Sequence, residues 1–202
     1  MAAVSRGHWV CRDPGSPCCG DSGALGVPST GIVGFNGGMD ELNLGLLVIR
    51  VLVGVTLALH GIAKVRGGIK GTGGWFASEG LKPGMLHAWL AAGTEIGAGF
   101  ALAAGFLFPF SNMAVVGVMA VAGYIGHRKN GFFIIREGWE YTFILGGVAA
   151  GLAATGPGEW SVDNSYDLLI DGWPGLIIAA GGGLAAAVGL LAAFYRPPAD
   201  KK

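Results

Sequence analysis

Two charged residues stand inside long apolar stretches of this sequence. Arg50 interrupts LLVIRVLVGV, and Glu95 interrupts AWLAAGTEIGAGF. At 1.5 Å per residue, Arg50 lies about 12 Å from the start of its stretch and Glu95 about 13–14 Å from the start of its own. In antiparallel helices across a hydrocarbon core about 30 Å thick, their depths would differ by only about 4 Å. We therefore predict a buried pair of Arg50 and Glu95 near the membrane midplane.

Such a pair has two interpretations. As a structural element, the two charges neutralise each other and hold neighbouring helices in register. As a functional site, ionisable groups at membrane depth relay protons or bind the polar head group of a quinone or another small molecule. The sequence leaves both interpretations open.

A second group of polar residues falls near the ends of the apolar stretches. Because the first and third helices run in the same direction, we expect this group to gather at one membrane face; it comprises His60, Lys64, His127, Glu140 and Tyr141. Two histidines and a carboxylate could shuttle protons or bind a metal or haem. Polar side chains are also ordinary at a membrane interface, where they only pack. We assign no catalytic residue and no metal site.

Five apolar stretches must position these residues. They cover residues 42–63, 86–108, 111–127, 139–155 and 175–195. Hydrophobic residues make up 52% of the 202-residue chain and charged residues 13%, about half the charged share of a soluble domain. Continuous apolar runs, rather than one apolar face, argue against a soluble helical bundle. We therefore predict an all-α, polytopic membrane helix bundle.

The basic residues predict how the bundle is oriented. If the five stretches alternate across the membrane, ten of the 13 lysines and arginines fall in the 64–85 loop, the 128–138 loop and the C-terminal tail. The opposite side has two, Arg6 and Arg12, and Arg50 lies within a span. Since basic loops stay in the cytoplasm, we predict the N-terminus outside and the C-terminus inside. A net charge of zero gives no support for binding nucleic acid.

The N-terminal segment differs from the rest of the chain. Residues 1–38 are rich in glycine, serine and proline and lack the apolar core of a signal peptide. We predict that they are disordered. Met39 is a more typical start for a membrane protein, which suggests that residues 1–38 are either an over-long gene prediction or a dispensable tail. Cys11, Cys18 and Cys19 all fall here, so thiol chemistry within the apolar stretches is excluded.

Pairs of small residues four positions apart mark candidate contacts between helices. They are Gly93 with Gly97, Gly147 with Gly151, and Ala185 with Gly189. A smooth strip on a helix face lets two backbones approach closely in lipid. We predict that these strips serve ordinary helix packing.

The ordered motifs resemble the DoxX family of bacterial membrane proteins. The resemblance covers about residues 44–163 and rests on LLVIRVLVGVTLALHGIAKV, GTGGWFASEGLKPG, the Glu-bearing second stretch, NGFF, GWEYTFIL and GPGEWSVD. It implies a DoxX-like membrane domain over 39–163. The family usually has four spans, so 164–202 would be an added transmembrane helix with a cytoplasmic tail.

The resemblance implies a function linked to redox chemistry. The family name derives from a subunit associated with archaeal quinol oxidase and thiosulfate:quinone oxidoreductase, and actinobacterial relatives join a complex with superoxide dismutase and a thiosulfate sulfurtransferase. We therefore expect an integral subunit of an oxidoreductase complex in the bacterial cytoplasmic membrane. Its partners would be lipid and other oxidoreductase subunits, with quinone as a candidate ligand and no covalently bound cofactor.

Two other functions remain open. The chain could be a non-enzymatic accessory subunit of a larger respiratory or photosynthetic complex, or a small-molecule transporter. The transporter is least favoured because the five stretches show no internal repeat. A ligand site predicts a cavity that reaches Glu95, whereas an accessory subunit predicts that Arg50 and Glu95 are both enclosed by packing.

Overall fold

A computed structural model describes residues 37–197 of the chain. Most of the segment predicted to be disordered, including the three cysteines, lies outside this range, as do Lys201 and Lys202. Within the described range the regular elements are helices, and an isolated bridge pairs Leu81 with Tyr195. The predicted all-α fold is thus confirmed for this part of the chain.

The helices follow the predicted apolar stretches. The longer ones are α1 (Gly37–Arg66), α3 (Gly84–Ala104), α4 (Phe108–Ala122), α5 (Glu140–Thr155) and α8 (Gly183–Phe194). Three short helices lie between them: α2 (Ile69–Ser78), α6 (Val162–Ser165) and α7 (Gly172–Leu176). A π-helical segment, Gly123–His127, continues α4, and another, Ile177–Gly182, joins α7 to α8.

Three helical runs of the described chain are long and apolar enough to cross a membrane. They are Met39–Arg66, Phe108–Asn130 and Gly172–Phe194. Helix α5 has 16 residues, fewer than the roughly 20 that a spanning helix needs. The structure therefore supports a polytopic helical membrane protein, while the count of five spans stays a prediction.

Glycines set the register between α1 and α3. A Cβ atom on Gly54 would lie 2.8 Å from Ala103 N, and one on Gly99 would lie 2.8 Å from Ala58 N. Seven residues further along α1, a Cβ on Gly61 would lie 2.7 Å from Ala92 O. The two helices are therefore antiparallel and in backbone contact, and Glu95 lies opposite residues 58–60 of α1.

The predicted small-residue strips do not make these contacts. A Cβ atom would meet nothing within 4 Å at any glycine of the three strips, and Ala185 is exposed. Gly97 precedes Gly99 by two residues, which is about 200° around an α-helix, so the two face opposite ways. The prediction of internal packing was wrong because small residues alone do not say which face of a helix is buried.

A segment that we call the 156–165 cap closes the end of the bundle where α1 begins. The Asp163 carboxylate accepts hydrogen bonds from the N–H groups of Leu107 and Phe108, at 2.8 and 2.7 Å. Asn43 Oδ1 accepts from the Glu159 N–H at 2.9 Å. The cap is thus tied both to α1 and to the first turn of α4, whose N–H groups have no partners within the helix.

The last helix is tied to the opposite end of the bundle. Helix α8 packs against α4, and at its end the Arg196 N–H donates to Gly80 O at 2.7 Å. The Lys82 N–H donates to Phe194 O at 3.2 Å, beside the Leu81–Tyr195 bridge. Helix α8 therefore belongs to the same helical bundle as α4 and the 80–82 segment.

Candidate functional site

Arg50 does not pair with Glu95. Its side chain is 1% exposed, and its Nη1 and Nη2 groups donate hydrogen bonds to the carbonyl oxygens of Pro157 and Trp160. Both acceptors belong to the 156–165 cap. Arg50 is therefore a buried structural link between α1 and the cap.

Glu95 has a different cation. It is 3% exposed, and its Oε1 atom accepts a hydrogen bond from Lys64 Nζ in a salt bridge. The predicted pair of Arg50 and Glu95 was therefore wrong, although the burial of both residues is confirmed. Lys64, a member of the predicted interfacial group, is thus in direct contact with Glu95.

The helix register and the direction of the side chains explain why Glu95 pairs with Lys64 rather than with Arg50. Because Glu95 lies opposite residues 58–60, it is eight to ten residues from Arg50 along α1, or roughly 12–15 Å. Side chains on a helix lean toward its N-terminus. In antiparallel α1 and α3, Glu95 and Lys64 lean toward each other, whereas Arg50 leans away from Glu95. A Cβ atom on Gly61 would lie 3.1 Å from Glu95 Cβ, so the small residue leaves room for the glutamate.

Beside this salt bridge lies a cavity of about 580 Å³. This volume is within the range of small-molecule sites, roughly 300–1,000 Å³. Its walls are mostly apolar and come from α1 to α5 and from α8. Several of the lining residues, Trp75, Leu90 and Ile134 among them, are also exposed on the protein surface, so the cavity is not sealed by its walls.

Four members of the predicted interfacial group line this cavity. They are His60, Lys64, His127 and Tyr141. The rings of His60 and Tyr141 lie 5.8 Å apart. His60 Nδ1 bonds to Thr56 O at 2.9 Å, and His127 Nδ1 bonds to Glu137 O at 2.7 Å. Since a carbonyl oxygen only accepts, each Nδ1 donates, and Nε2 is the remaining polar atom of each ring.

Glu140 does not line the cavity. Its Oε2 atom accepts the Ile134 N–H at 2.9 Å, which fixes the turn before α5. Within residues 37–197, no three side chains of histidine, cysteine, aspartate or glutamate form a group that could hold a metal ion. The arrangement supports hydrogen bonding and proton exchange around the cavity, and the roles of these residues stay predictions.

His87 is a site residue that the sequence did not predict. Residues His87, Leu90, Ala91, Thr94 and Glu95 of α3 all line the cavity, and their spacing puts them on one face of the helix. His87 stands one residue inside the predicted span 86–108, where a polar side chain looks like an ordinary interfacial residue. Its spacing from Glu95, about two turns along the same face, was the signal that could have identified it.

Long apolar helices around a partly polar cavity define a polytopic membrane protein with a candidate small-molecule site. The model of the DoxX family matches residues 45–128 of the 202-residue chain, so this part of the chain is similar to DoxX proteins. The matched range includes Arg50, His60, Lys64, Glu95 and His127. The family is associated with oxidoreductase-linked membrane functions. A search of curated proteins found no match, and a search of solved structures found none.

Proposed function

We propose that this chain is the integral membrane subunit of an oxidoreductase complex and binds a quinone or a similar small molecule in the cavity. One observation carries the proposal. Glu95 is almost fully buried and borders a cavity of about 580 Å³, and its Oε2 atom has no hydrogen-bond partner within the described residues. A buried polar atom without a partner costs about 1–3 kcal/mol. Because a carboxylate oxygen accepts, a hydroxyl group of a ligand in the cavity, such as that of a reduced quinone, would supply the donor.

The residues around the cavity fit such a ligand. The apolar walls remove the ring or tail of the molecule from lipid and water, and the salt bridge of Lys64 with Glu95 orients its polar group. A protonated Lys64 donates hydrogen bonds to an oxygen atom, and Tyr141 and His60 add groups that can donate or accept. These side chains could also move protons between the ligand and the nearby surface.

The accessory-subunit alternative is favoured only by Arg50. This residue is enclosed and bonds to backbone carbonyls, as expected of a residue that holds the fold together. Glu95 differs, because the cavity beside it is lined by residues that reach the surface. The two buried charges therefore have separate roles in our proposal: Arg50 stabilises the fold and Glu95 contacts the ligand.

Quinone content tests the proposed function. The protein would be purified in a mild detergent, and its quinone and co-purifying subunits would be measured by extraction and mass spectrometry. We expect quinone in stoichiometric amount, reduced at least tenfold in Glu95→Gln, since the carboxylate contact is lost. Glu41→Gln removes an exposed carboxylate on α1 and serves as the matched control. Wild-type protein with neither quinone nor a redox partner would refute the proposal, and equal quinone content in Glu95→Gln would refute the role of Glu95.

We further infer that the protein spans the bacterial cytoplasmic membrane several times, with its N-terminus outside and its C-terminus inside. The basic segments meet at one end of the bundle, where Lys129 pairs with Glu79 at 3.1 Å and Arg196 N bonds to Gly80 O. Such a concentration of basic residues favours the cytoplasmic side.

Cysteine labelling tests this orientation. With Cys11, Cys18 and Cys19 changed to serine, single cysteines would be introduced at Lys70 and at Ser165, both exposed. A membrane-impermeant maleimide applied to spheroplasts is expected to label Ser165→Cys at once and Lys70→Cys only after lysis. The reverse order would show the opposite orientation.

A further inference from the structure

We propose that His87 is a second polar contact for the ligand of the cavity. The site would then take a flat, mostly apolar molecule with a hydrogen-bonding group at each of two opposite ends. This inference rests on the proposed function, because it assumes that the cavity binds a small molecule. It adds a residue and a chemical requirement that Glu95 alone does not give.

The first observation is an unpartnered imidazole nitrogen. His87 is 3% exposed and lines the cavity, and its Nε2 atom has no hydrogen-bond partner within residues 37–197. Buried polar groups of native proteins nearly always have a partner, so each exception requires an explanation. Glu95 Oε2 also has no hydrogen-bond partner within residues 37–197. The same wall of the cavity thus carries two buried polar atoms without partners, one near each end of the lining stretch of α3.

The second observation is the spacing of these two groups. Eight residues separate His87 from Glu95, which is about 12 Å along the helix axis. Since both side chains lean toward the N-terminus of α3, their polar atoms keep about that separation. Two hydrogen bonds of about 2.8 Å each leave roughly 6 Å between the ligand atoms that they reach. This is about the size of one six-membered ring with an oxygen atom at either end.

The residues between the two polar groups suit the body of such a molecule. Leu90 and Ala91 present apolar surface to the cavity between the levels of His87 and Glu95. The imidazole of His87 is held in place by Phe194, whose ring meets it edge-on at a centroid distance of 5.0 Å. Phe194 ends α8, so the added helix positions the second polar contact.

A pair of probes that differ in one oxygen tests the inference. 1,4-Dihydroxynaphthalene carries hydroxyl groups, which can donate to Glu95 Oε2 and His87 Nε2, at opposite ends of one ring, and 1-naphthol carries one hydroxyl group on the same bicyclic body. Binding of each probe would be titrated in the absence of oxygen by quenching of tryptophan fluorescence in nanodiscs, with empty nanodiscs as the partition control. We expect wild-type protein to bind 1,4-dihydroxynaphthalene about tenfold more tightly than 1-naphthol, since one hydrogen bond is worth about that factor.

Variants of His87 then test whether this residue causes the preference for the probe with two oxygens. His87→Phe keeps an aromatic ring against Phe194 and is expected to weaken the binding of 1,4-dihydroxynaphthalene about tenfold while changing that of 1-naphthol less than twofold. His87→Gln keeps a hydrogen-bonding group and is expected to recover at least part of the preference. Leu90→Ala, the matched control on the same wall, should weaken both probes equally. If His87→Phe does not fold, His87→Leu is measured against the same criterion.

The outcomes separate this inference from the proposed function. If wild-type protein binds neither probe saturably, the proposed function and this inference both fail. If both probes bind and Glu95→Gln weakens them, but the His87 variant weakens neither or both alike, only this inference fails. In that case His87 serves to pack against Phe194.

Discussion

Replacing Lys64 with methionine is expected to destabilise the protein by about 3 kcal/mol, because removing one partner of a buried salt bridge leaves the other charge uncompensated. Glu95 stays enclosed between α1 and α3, with a side chain only 4% exposed. Glu95→Gln should cost less. The Lys64 side chain is 29% exposed, and its long chain can carry the ammonium group to the surface.

The double variant separates loss of the charge pair from loss of packing. Lys64→Met combined with Glu95→Gln removes both charges and should recover most of the stability lost in Lys64→Met. Thermal unfolding in detergent, followed by tryptophan fluorescence, measures the difference. Lys129→Met is the matched control, because Lys129 is 57% exposed in its salt bridge with Glu79 and should lose less than about 1 kcal/mol. Equal losses in Lys64→Met and Lys129→Met would contradict a buried pair.

Replacing Arg50 with methionine is the second change with a large expected effect. It leaves the carbonyl oxygens of Pro157 and Trp160 without their donors, and we expect a loss of about 3 kcal/mol or more from two charge-assisted hydrogen bonds. Arg50→Lys should be intermediate, since an ammonium group lacks the fork that reaches both acceptors. Gly105 adjoins the guanidinium: a Cβ atom there would lie 2.7 Å from Arg50 Nη1, so the space around Arg50 is already filled.

Limited proteolysis tests whether Arg50→Met destabilises the 156–165 cap more than the rest of the bundle. Cleavage within the 156–165 cap should accelerate in Arg50→Met before the rest of the bundle unfolds. Arg66→Met, at the exposed end of α1, is the control and should behave like wild type. If Arg50→Met keeps a stable cap but loses quinone, Arg50 belongs to the ligand site and our division of roles is wrong.

Much of the fold could be predicted from the sequence because apolar runs carry a strong signal. The helices, their approximate bounds and the burial of Arg50 and Glu95 all follow from the cost of placing backbone and charge in lipid. The partners of the two charges could not be predicted in the same way. A difference of a few residues in register changes which cation meets Glu95, and Gly54, Gly61 and Gly99 set that register through contacts that hydropathy does not describe.

The candidate site, like the fold, could be predicted only in part. His60, Lys64, His127 and Tyr141 were recognised as polar residues near span ends, and these four side chains line one cavity. The cavity itself could not be predicted, because its volume depends on how the six helices that line it diverge. His87 was missed because one helix position near a span end gives no hint of burial. The contact of Phe194 with His87 could not be predicted from the sequence, since it depends on where the last helix returns to the bundle.

The return of α8 to the 80–82 segment has a consequence for the composition of the site. Ala186, Ala187 and Leu190 of α8 form part of the cavity wall, and Phe194 holds His87. A chain that ended after α5 would need a second polypeptide to supply these groups, and their presence would then depend on its concentration in the membrane. Here the wall is covalently attached, so its effective concentration is fixed by the connecting segment. Low expression or extraction into detergent therefore does not deprive the site of this wall.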